Sequence, residues 1–203
     1  MNGNHIKGTE GYSKVIKSFI ENTLAIDFIQ LHQDFLPFFP KKISRILDIG
    51  AGIGRDAYEF SKMGHSVTAV EPIQEFRVEG KILFDHQNIK WIDDCLPDLK
   101  LLGFESHQFD FILVSGVWHH LDMEEQYRSI IRIAQLLDDN GIFSVTLRNG
   151  PAGAGTHVFP TNGNEVVEIT KQYGLKTLLF LENQTSLMKN KENVSWTKLV
   201  FQK

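Results

Sequence analysis

Cysteine is nearly absent, positive charge is not in excess, and no long apolar run occurs; each shortage excludes a class of protein. A single cysteine, Cys95, in 203 residues permits no intrachain disulfide and no cysteine-cluster zinc site. With 21 Lys+Arg against 25 Asp+Glu and a formal net charge of -4, the chain lacks the basic excess that sequence-independent nucleic-acid binding requires. No apolar stretch reaches the roughly 18–20 residues of a membrane span. The first residues, MNGNHIKGTEGYSK, do not have the charged-then-apolar layout of a signal peptide. Repeats, low-complexity tracts and linker-like segments are also missing. What remains, 42% hydrophobic and 23% charged, is the composition of a folded domain with a full-sized core. The expectation is one soluble domain in a reducing, cytoplasmic setting, a monomer or weak dimer with no membrane and no nucleic-acid partner.

The apolar spacing from Ser13 to about Leu36 predicts one or two helices broken near Asn22-Thr23, closed off by Pro37 and Pro40. A strand–helix alternation follows. Short apolar or β-branched runs at 45–49, 66–71, 89–92, 109–114 and 142–147 read as strands. Helical patterns lie at 55–63, 73–84 and 124–137, the second interrupted by Gly80 and the third ended by Asp139-Asn140-Gly141. Gly150 to Gly155 is expected to be a flexible loop, followed by a helix over 164–173. Five strands alternating with helices imply a parallel sheet covered on both faces. Two further strands, 175–181 and 194–201, have only a polar loop between them and predict an antiparallel hairpin at the sheet edge. The boundaries expected are an N-terminal helical segment over 1–42 that closes as a lid, and a core over 43–203.

Four features fall at successive strand ends. Asp48-Ile49-Gly50-Ala51-Gly52-Ile53-Gly54-Arg55 is a strand running into a Gly-x-Gly-x-Gly turn and then a helix. Glycines there admit positive φ and let a ligand lie on bare backbone, while the helix start favours an anion. Asp48 suits a ligand cation or orders the loop. Glu71 ends the second strand, where an acid can accept from two ribose hydroxyls. Asp93-Asp94 ends the third, where one of the pair can accept from an adenine amino group; the strand alternation leaves open which. Ser115-Gly116-Val117-Trp118-His119-His120 follows the fourth and puts small, aromatic and titratable groups at the same rim.

The ordered set ILDIGAGIGRD, AVEP, WIDDCLPDL, FDFILVSGVWHHLD and GIFSVTLRNGP resembles the motifs of class I S-adenosylmethionine-dependent methyltransferases, most of all the small single-domain bacterial enzymes. The resemblance implies a Rossmann-like α/β fold: a seven-stranded, mostly parallel sheet with helices on both faces and an antiparallel C-terminal hairpin. It implies S-adenosyl-L-methionine as cofactor. Gly50, Ala51 and Gly52 would then pack against its methionine portion, with Asp48 near the amino group. Glu71, followed by Pro72, would bind the ribose, Asp93 or Asp94 with Cys95 the adenine, and Ser115 and Val117 would flank the sulfonium. Arg55 would pair with the cofactor carboxylate or lie solvated, and Tyr12 would touch the cofactor if the N-terminal segment closes over it.

Methyl transfer is an in-line displacement, so the protein chiefly aligns the reactants and excludes water. A base is needed only where the acceptor must lose a proton, and His119 and His120 are the candidates. Arg148 and His157, on or near the loop after the fifth strand, are placed to bind an acidic acceptor, whereas His32 reads as a packed or surface residue. The stretch after the fourth strand is not the Asn/Asp-Pro-Pro-Tyr/Phe tetrad of amino-methylating nucleic-acid and protein enzymes, and a small-molecule acceptor is expected. No metal ligands are expected. Two other readings share these residues: a non-catalytic domain binding S-adenosylmethionine or S-adenosylhomocysteine, and an NAD(P)-dependent oxidoreductase. The second usually has Gly-x-Gly-x-x-Gly, where position 55 here is Arg.

Overall fold

The computed structural model describes residues 8–103, 108–153, 157–188 and 191–203. The strands are β1 (Arg45–Ile49), β2 (Ser66–Val70), β3 (Ile89–Ile92), β4 (Phe109–Val114), β5 (Leu137–Asn149), β6 (Lys176–Thr185) and β7 (Ser195–Gln202). They form a single seven-stranded sheet in the order β3-β2-β1-β4-β5-β7-β6. β1 to β5 pair in parallel, and β7 runs antiparallel between β5 and β6. The expected fold is the one observed.

Both faces are covered because side chains alternate along a strand. On β1 and β4, Leu47, Ile49, Ile112 and Val114 enter one core, with Ile130 and Ile133 of helix α5 (Met123–Leu136) and Val166 of α6 (Gly163–Gln172). Ile46, Phe111 and Leu113 enter the other, with Ala57 and Phe60 of α3 (Arg55–Lys62) and with Phe28 and Phe35 of the N-terminal segment. Asp48 shares the parity of Ile46, which puts it on the α3 side.

Several boundaries differ from the sequence reading. The N-terminal helices, α1 (Ile16–Leu24) and α2 (Phe28–Leu31), break at 25–27 rather than at Asn22-Thr23. Asp27 is the reason: its carboxylate accepts from Gln30 N at 2.8 Å and caps α2. Asp139-Asn140-Gly141 does not form a turn after α5; the chain passes straight into β5, and the extra residues are absorbed where the pairing shifts between Phe109 and Phe111. Between β3 and β4, Lys100–Leu102 forms one 3-10 turn. Of the expected flexible loop, Ala154 and Gly155 lie outside the described residues, as do residues 1–7 of the N-terminal segment.

Gly80 sits inside helix α4 (Gln74–Leu83), where glycine lowers helix propensity. A Cβ there would lie 2.5 Å from Ile53 O and 2.7 Å from the Trp91 ring. The glycine thus lets α4 close on the turn after β1 and on β3, and tertiary packing overrides the local preference.

Candidate functional site

The carboxyl ends of β1 to β5 border one cavity of about 580 Å³. The first wall is the turn after β1. Gly50, Gly52 and Gly54 have φ of +72°, +57° and +82°, a left-handed course that suits glycine. Gly50 N and Ala51 N donate to Val70 O at 2.8 and 3.0 Å, which ties the turn to β2. A Cβ on Gly50 would strike Val117 at 2.2 Å, so its bare backbone is needed for the turn after β4 to approach. Gly52 is different, because a Cβ there would meet only the Phe19 ring edge, at 3.4 Å.

Glu71 is buried at the end of β2. Its Oε2 accepts from Gly52 N at 2.9 Å and its Oε1 from Ile73 N at 2.8 Å. Burial pushes its pKa up to about 7, against the lowering effect of those two donors. Asp48 is buried as well, and its Oδ2 has no hydrogen-bond partner among the described residues. Desolvation, with the Asp56 carboxylate close by, holds Asp48 well above the usual carboxylate range.

Of the Asp93–Asp94 pair, Asp94 alone lines the cavity. Asp94 lines the cavity and accepts from Cys95 N at 2.9 Å and Leu101 N at 2.6 Å. Asp93 is exposed, outside the lining, and paired with Arg77 at 2.8 Å. Cys95 lines the cavity with a thiol pushed up to about 11 by burial and the neighbouring carboxylates. Ala51, Pro72, Ser115 and Val117 line it too, and Gly116 N is anchored by Thr146 Oγ1 at 2.8 Å.

Arg55 lines the cavity but binds protein groups. Its Nε donates to Asp56 Oδ1 at 2.7 Å, and its Nη1 to Thr23 O and Ile26 O at 3.0 and 3.4 Å. Asp56 Oδ2 lies 2.9 Å from His32 Nε2, so His32 is a buried partner that secures the N-terminal helices to α3. Burial opposes the charge on Asp56, yet His32 and Arg55 hold its pKa well below the usual value.

The N-terminal segment covers the cavity through aromatic rings. Tyr12 packs edge-on against Phe19 and Phe76, with centroids 5.6 and 5.9 Å away, and Phe19 stacks on Phe76 at 4.5 Å. The Tyr12 hydroxyl lies 3.0 Å from His120 Nε2, and His120 Nδ1 lies 2.7 Å from His157 O. A carbonyl only accepts, so Nδ1 carries the proton; in the neutral ring Nε2 then accepts from the Tyr12 hydroxyl. Burial and the Arg148 guanidinium depress His120 despite the His157 carbonyl, and burial pushes Tyr12 up to about 12. His119 is buried with its Nδ1 unpartnered among the described residues, and desolvation takes it down to about 2.

His157 therefore reaches the site through its backbone carbonyl; its ring packs on Phe159 and is not part of the lining. The Tyr12–His120 bond spans 108 residues of sequence, and no local pattern signalled it. Lys191 and Trp196 also line the cavity, brought there by the β6–β7 hairpin, and the sequence reading missed both. Among the described residues there is no group of three metal-ligating side chains, and no helix is long and apolar enough to cross a membrane.

The donor set fits the cofactor implied by the sequence: acids at the ends of β1, β2 and β3, a buried Asp48 oxygen without a partner among the described residues, and a Gly52 that faces the cavity with only the Phe19 ring edge nearby. Residues 47–145 match the family model described as a methyltransferase domain. An uncharacterized methyltransferase of Alkaliphilus oremlandii (strain OhILAs) is 27% identical over 101 residues, a match spanning 50% of this chain and 44% of that protein. The match thus covers less than half of the curated relative's length. Burkholderia thailandensis 1,6-didemethyltoxoflavin-N1-methyltransferase, solved with 1,6-didemethyltoxoflavin and S-adenosylhomocysteine, superposes with a TM-score of 0.70 at 17% identity, covering 96% of this chain and 84% of that one. The N-methyltransferase NodS of Bradyrhizobium japonicum WM9, in complex with S-adenosylhomocysteine, gives a TM-score of 0.70 at 14% identity over 97% of this chain and 98% of that one. The two structural likenesses establish the shared fold, and the family match spans β2 to β4 with most of β1 and β5. Residues 47–145 thus resemble the methyltransferase-domain family in sequence, and the fold is the one these solved methyltransferases share.

Proposed function

We propose that the protein transfers a methyl group from S-adenosylmethionine to a small-molecule acceptor, with residues 1–42 closing as a lid over a core of residues 43–203. The observation that carries this reading is the cavity itself, bordered by the glycine turn, Glu71 and Asp94 on one side and closed by Tyr12 and Phe19 from the N-terminal segment. Gly50, Ala51, Gly52 and Asp48 would hold the methionine portion, Glu71 and Pro72 the ribose, Asp94 and Cys95 the adenine, and Ser115 and Val117 the sulfonium. Arg55 and Asp93 are given other work by their ion pairs: Arg55 positions the N-terminal segment, and Asp93 fixes Arg77 beside Glu71. When bound, the cofactor supplies a methyl carbon already activated by positive sulfur. A cavity of about 580 Å³ suits a small acceptor, and the Burkholderia enzyme was solved with 1,6-didemethyltoxoflavin bound.

His120 is the base of this reading, working through Tyr12. A proton leaving the acceptor passes to Tyr12 Oη while the Tyr12 proton passes to His120 Nε2. The imidazolium so formed keeps its Nδ1–H on His157 O. His119, held neutral by burial, shapes the wall. The test is calorimetry with S-adenosylhomocysteine, then turnover of labelled S-adenosylmethionine over a panel of small amines, phenols and carboxylic acids. Nucleoside binding and transfer to at least one acceptor are expected. His120→Ala and Tyr12→Phe should keep S-adenosylhomocysteine affinity within a few fold and lose turnover by roughly 10²-fold. Binding without transfer across the panel would support the non-catalytic alternative, and absence of binding would remove the reading.

Glu71 gives the affinity a pH dependence. A carboxylate accepts from ribose hydroxyls, and a carboxylic acid does so poorly, so binding favours the ionised form and releases a proton. With Glu71 raised to about 7 in the free protein, S-adenosylhomocysteine affinity should rise from about pH 6 to about pH 8 and then level off. Glu71→Gln should flatten that rise and weaken binding by about 1.5–3 kcal/mol. A rise that persists unchanged in the variant would exclude Glu71 as its source.

A further inference from the structure

The charged groups that line the cavity are sorted by sign along the sheet. Asp48, Asp56, Glu71 and Asp94 stand at the β1–β3 side, where the cation Arg55 is already held by Asp56. Arg148, at the end of β5, and Lys191, in the β6–β7 connection, stand at the other side with His119 and His120. Arg148 is 7% exposed. Its Nη2 donates to Pro151 O at 2.7 Å, its Nη1 has no partner, and no carboxylate pairs with it among the described residues. The groups that feel its charge are Tyr12, His119 and His120, and none is an anion. Glu10, the acid of the N-terminal segment near His120, is exposed and outside the lining. A guanidinium buried without a counter-charge is destabilising, and an incoming anion corrects it.

Resting on the methyl-transfer reading, we infer that the acceptor is an organic carboxylate, whose charge is bound by Arg148. Position separates this role from service to the cofactor. β4 lies between β1 and β5, so the Arg148 strand is about 10 Å from the strand that carries the glycine turn. The cofactor is cationic at sulfur and at its amino group, which suits the acidic side; an anion suits the opposite side. A guanidinium also matches a carboxylate in shape as well as charge. Leu121, Val194 and Trp196 add apolar surface to the lining, Trp196 directly across from Arg148 in the β5–β7 register, which calls for an organic body behind the charge. The same side holds His120, whose Nε2 lies 3.0 Å from the Tyr12 hydroxyl, so the carboxylate would orient the acceptor's nucleophilic atom toward the proton pair.

The experiment is a calorimetric titration of the protein, with and without saturating S-adenosylhomocysteine, using acetate, benzoate and phenylacetate against acetamide, benzamide and phenylacetamide. At least one acid should bind tenfold or more tightly than its amide. Arg148→Met should abolish that preference, Arg148→Lys should keep part of it, and both should hold S-adenosylhomocysteine affinity within about twofold. The comparison of acid with amide on the unaltered protein stands even if Arg148→Met fails to fold. No acid preference, a preference surviving in Arg148→Met, or a tenfold loss of S-adenosylhomocysteine affinity in the folded variants would each overturn the inference. The last of these would assign the guanidinium to the cofactor's own carboxylate. If S-adenosylhomocysteine does not bind the unaltered protein, the methyl-transfer reading falls, and the acid preference is judged on the titration without it.

Discussion

Gly52→Val is expected to abolish S-adenosylhomocysteine binding, lowering affinity by at least 100-fold, while the chain still folds. The reason lies in what surrounds the position. The neighbour a Cβ would meet is the edge of Phe19 at 3.4 Å, so a side chain has room, and that room belongs to the cavity. Two methyl groups there would occupy the space that a ligand needs against the backbone. The φ of +57° adds strain of at least about 1–2 kcal/mol, more for a β-branched residue, and any relaxation would pull Gly52 N away from Glu71 Oε2. Calorimetry reads the affinity and circular dichroism the fold. Gly52→Ala separates the two effects, since it carries most of the strain and much less of the bulk. A valine variant that is folded and binds normally would place the ligand elsewhere.

The second large effect is on stability. Asp56→Ala should cost about 3–5 kcal/mol, because it leaves the buried His32 and the half-buried Arg55 without their carboxylate. In a chain of this size that is a drop of roughly 10 °C in the thermal midpoint at neutral pH. The sign of its pH dependence follows from the depressed pKa of Asp56 in the folded state. Its contribution is complete above the unfolded value, near about 4, and is lost as pH falls toward the lower folded value. The gap between the unaltered protein and Asp56→Ala should therefore narrow under acid conditions. An equal gap at all pH values would mean that the loss is one of packing. Because Arg55 also holds Thr23 O and Ile26 O, the variant should loosen α1 and α2 first, and proteolysis within residues 16–36 should quicken.

The sheet was legible in the sequence because its strands carry their own signals. Phe111-Ile112-Leu113-Val114 is a continuous apolar run and Ile46-Leu47-Asp48-Ile49 is apolar except for Asp48, as strands buried on both faces require. The glycine turn and the acids at strand ends were equally visible, since one residue type at one spacing determines each. The break between α1 and α2 was misplaced because an Asp27 cap, rather than the Asn22-Thr23 pair, decides it. Gly80 argued against α4 until the neighbouring Ile53 carbonyl and Trp91 ring gave it a purpose. Nothing near His32 or Asp56 indicated that they would meet, nor that Asp93 would pair with Arg77 of α4.

The sequence by itself determined the fold, the family motifs and the rim on which they gather, because hydrophobic period, glycine and strand-end acids act over a few residues at a time. Only the tertiary structure decided where each member of a pair stands: Asp94 rather than Asp93 lines the cavity, His120 rather than His119 has both ring nitrogens hydrogen-bonded, and His157 reaches His120 by its carbonyl rather than its ring. Those choices depend on burial and on partners far away in the chain. Desolvation and hydrogen bonding at Tyr12, His120 and Arg148 are set by groups on the N-terminal segment, β4 and β5, which become neighbours only once the sheet has closed.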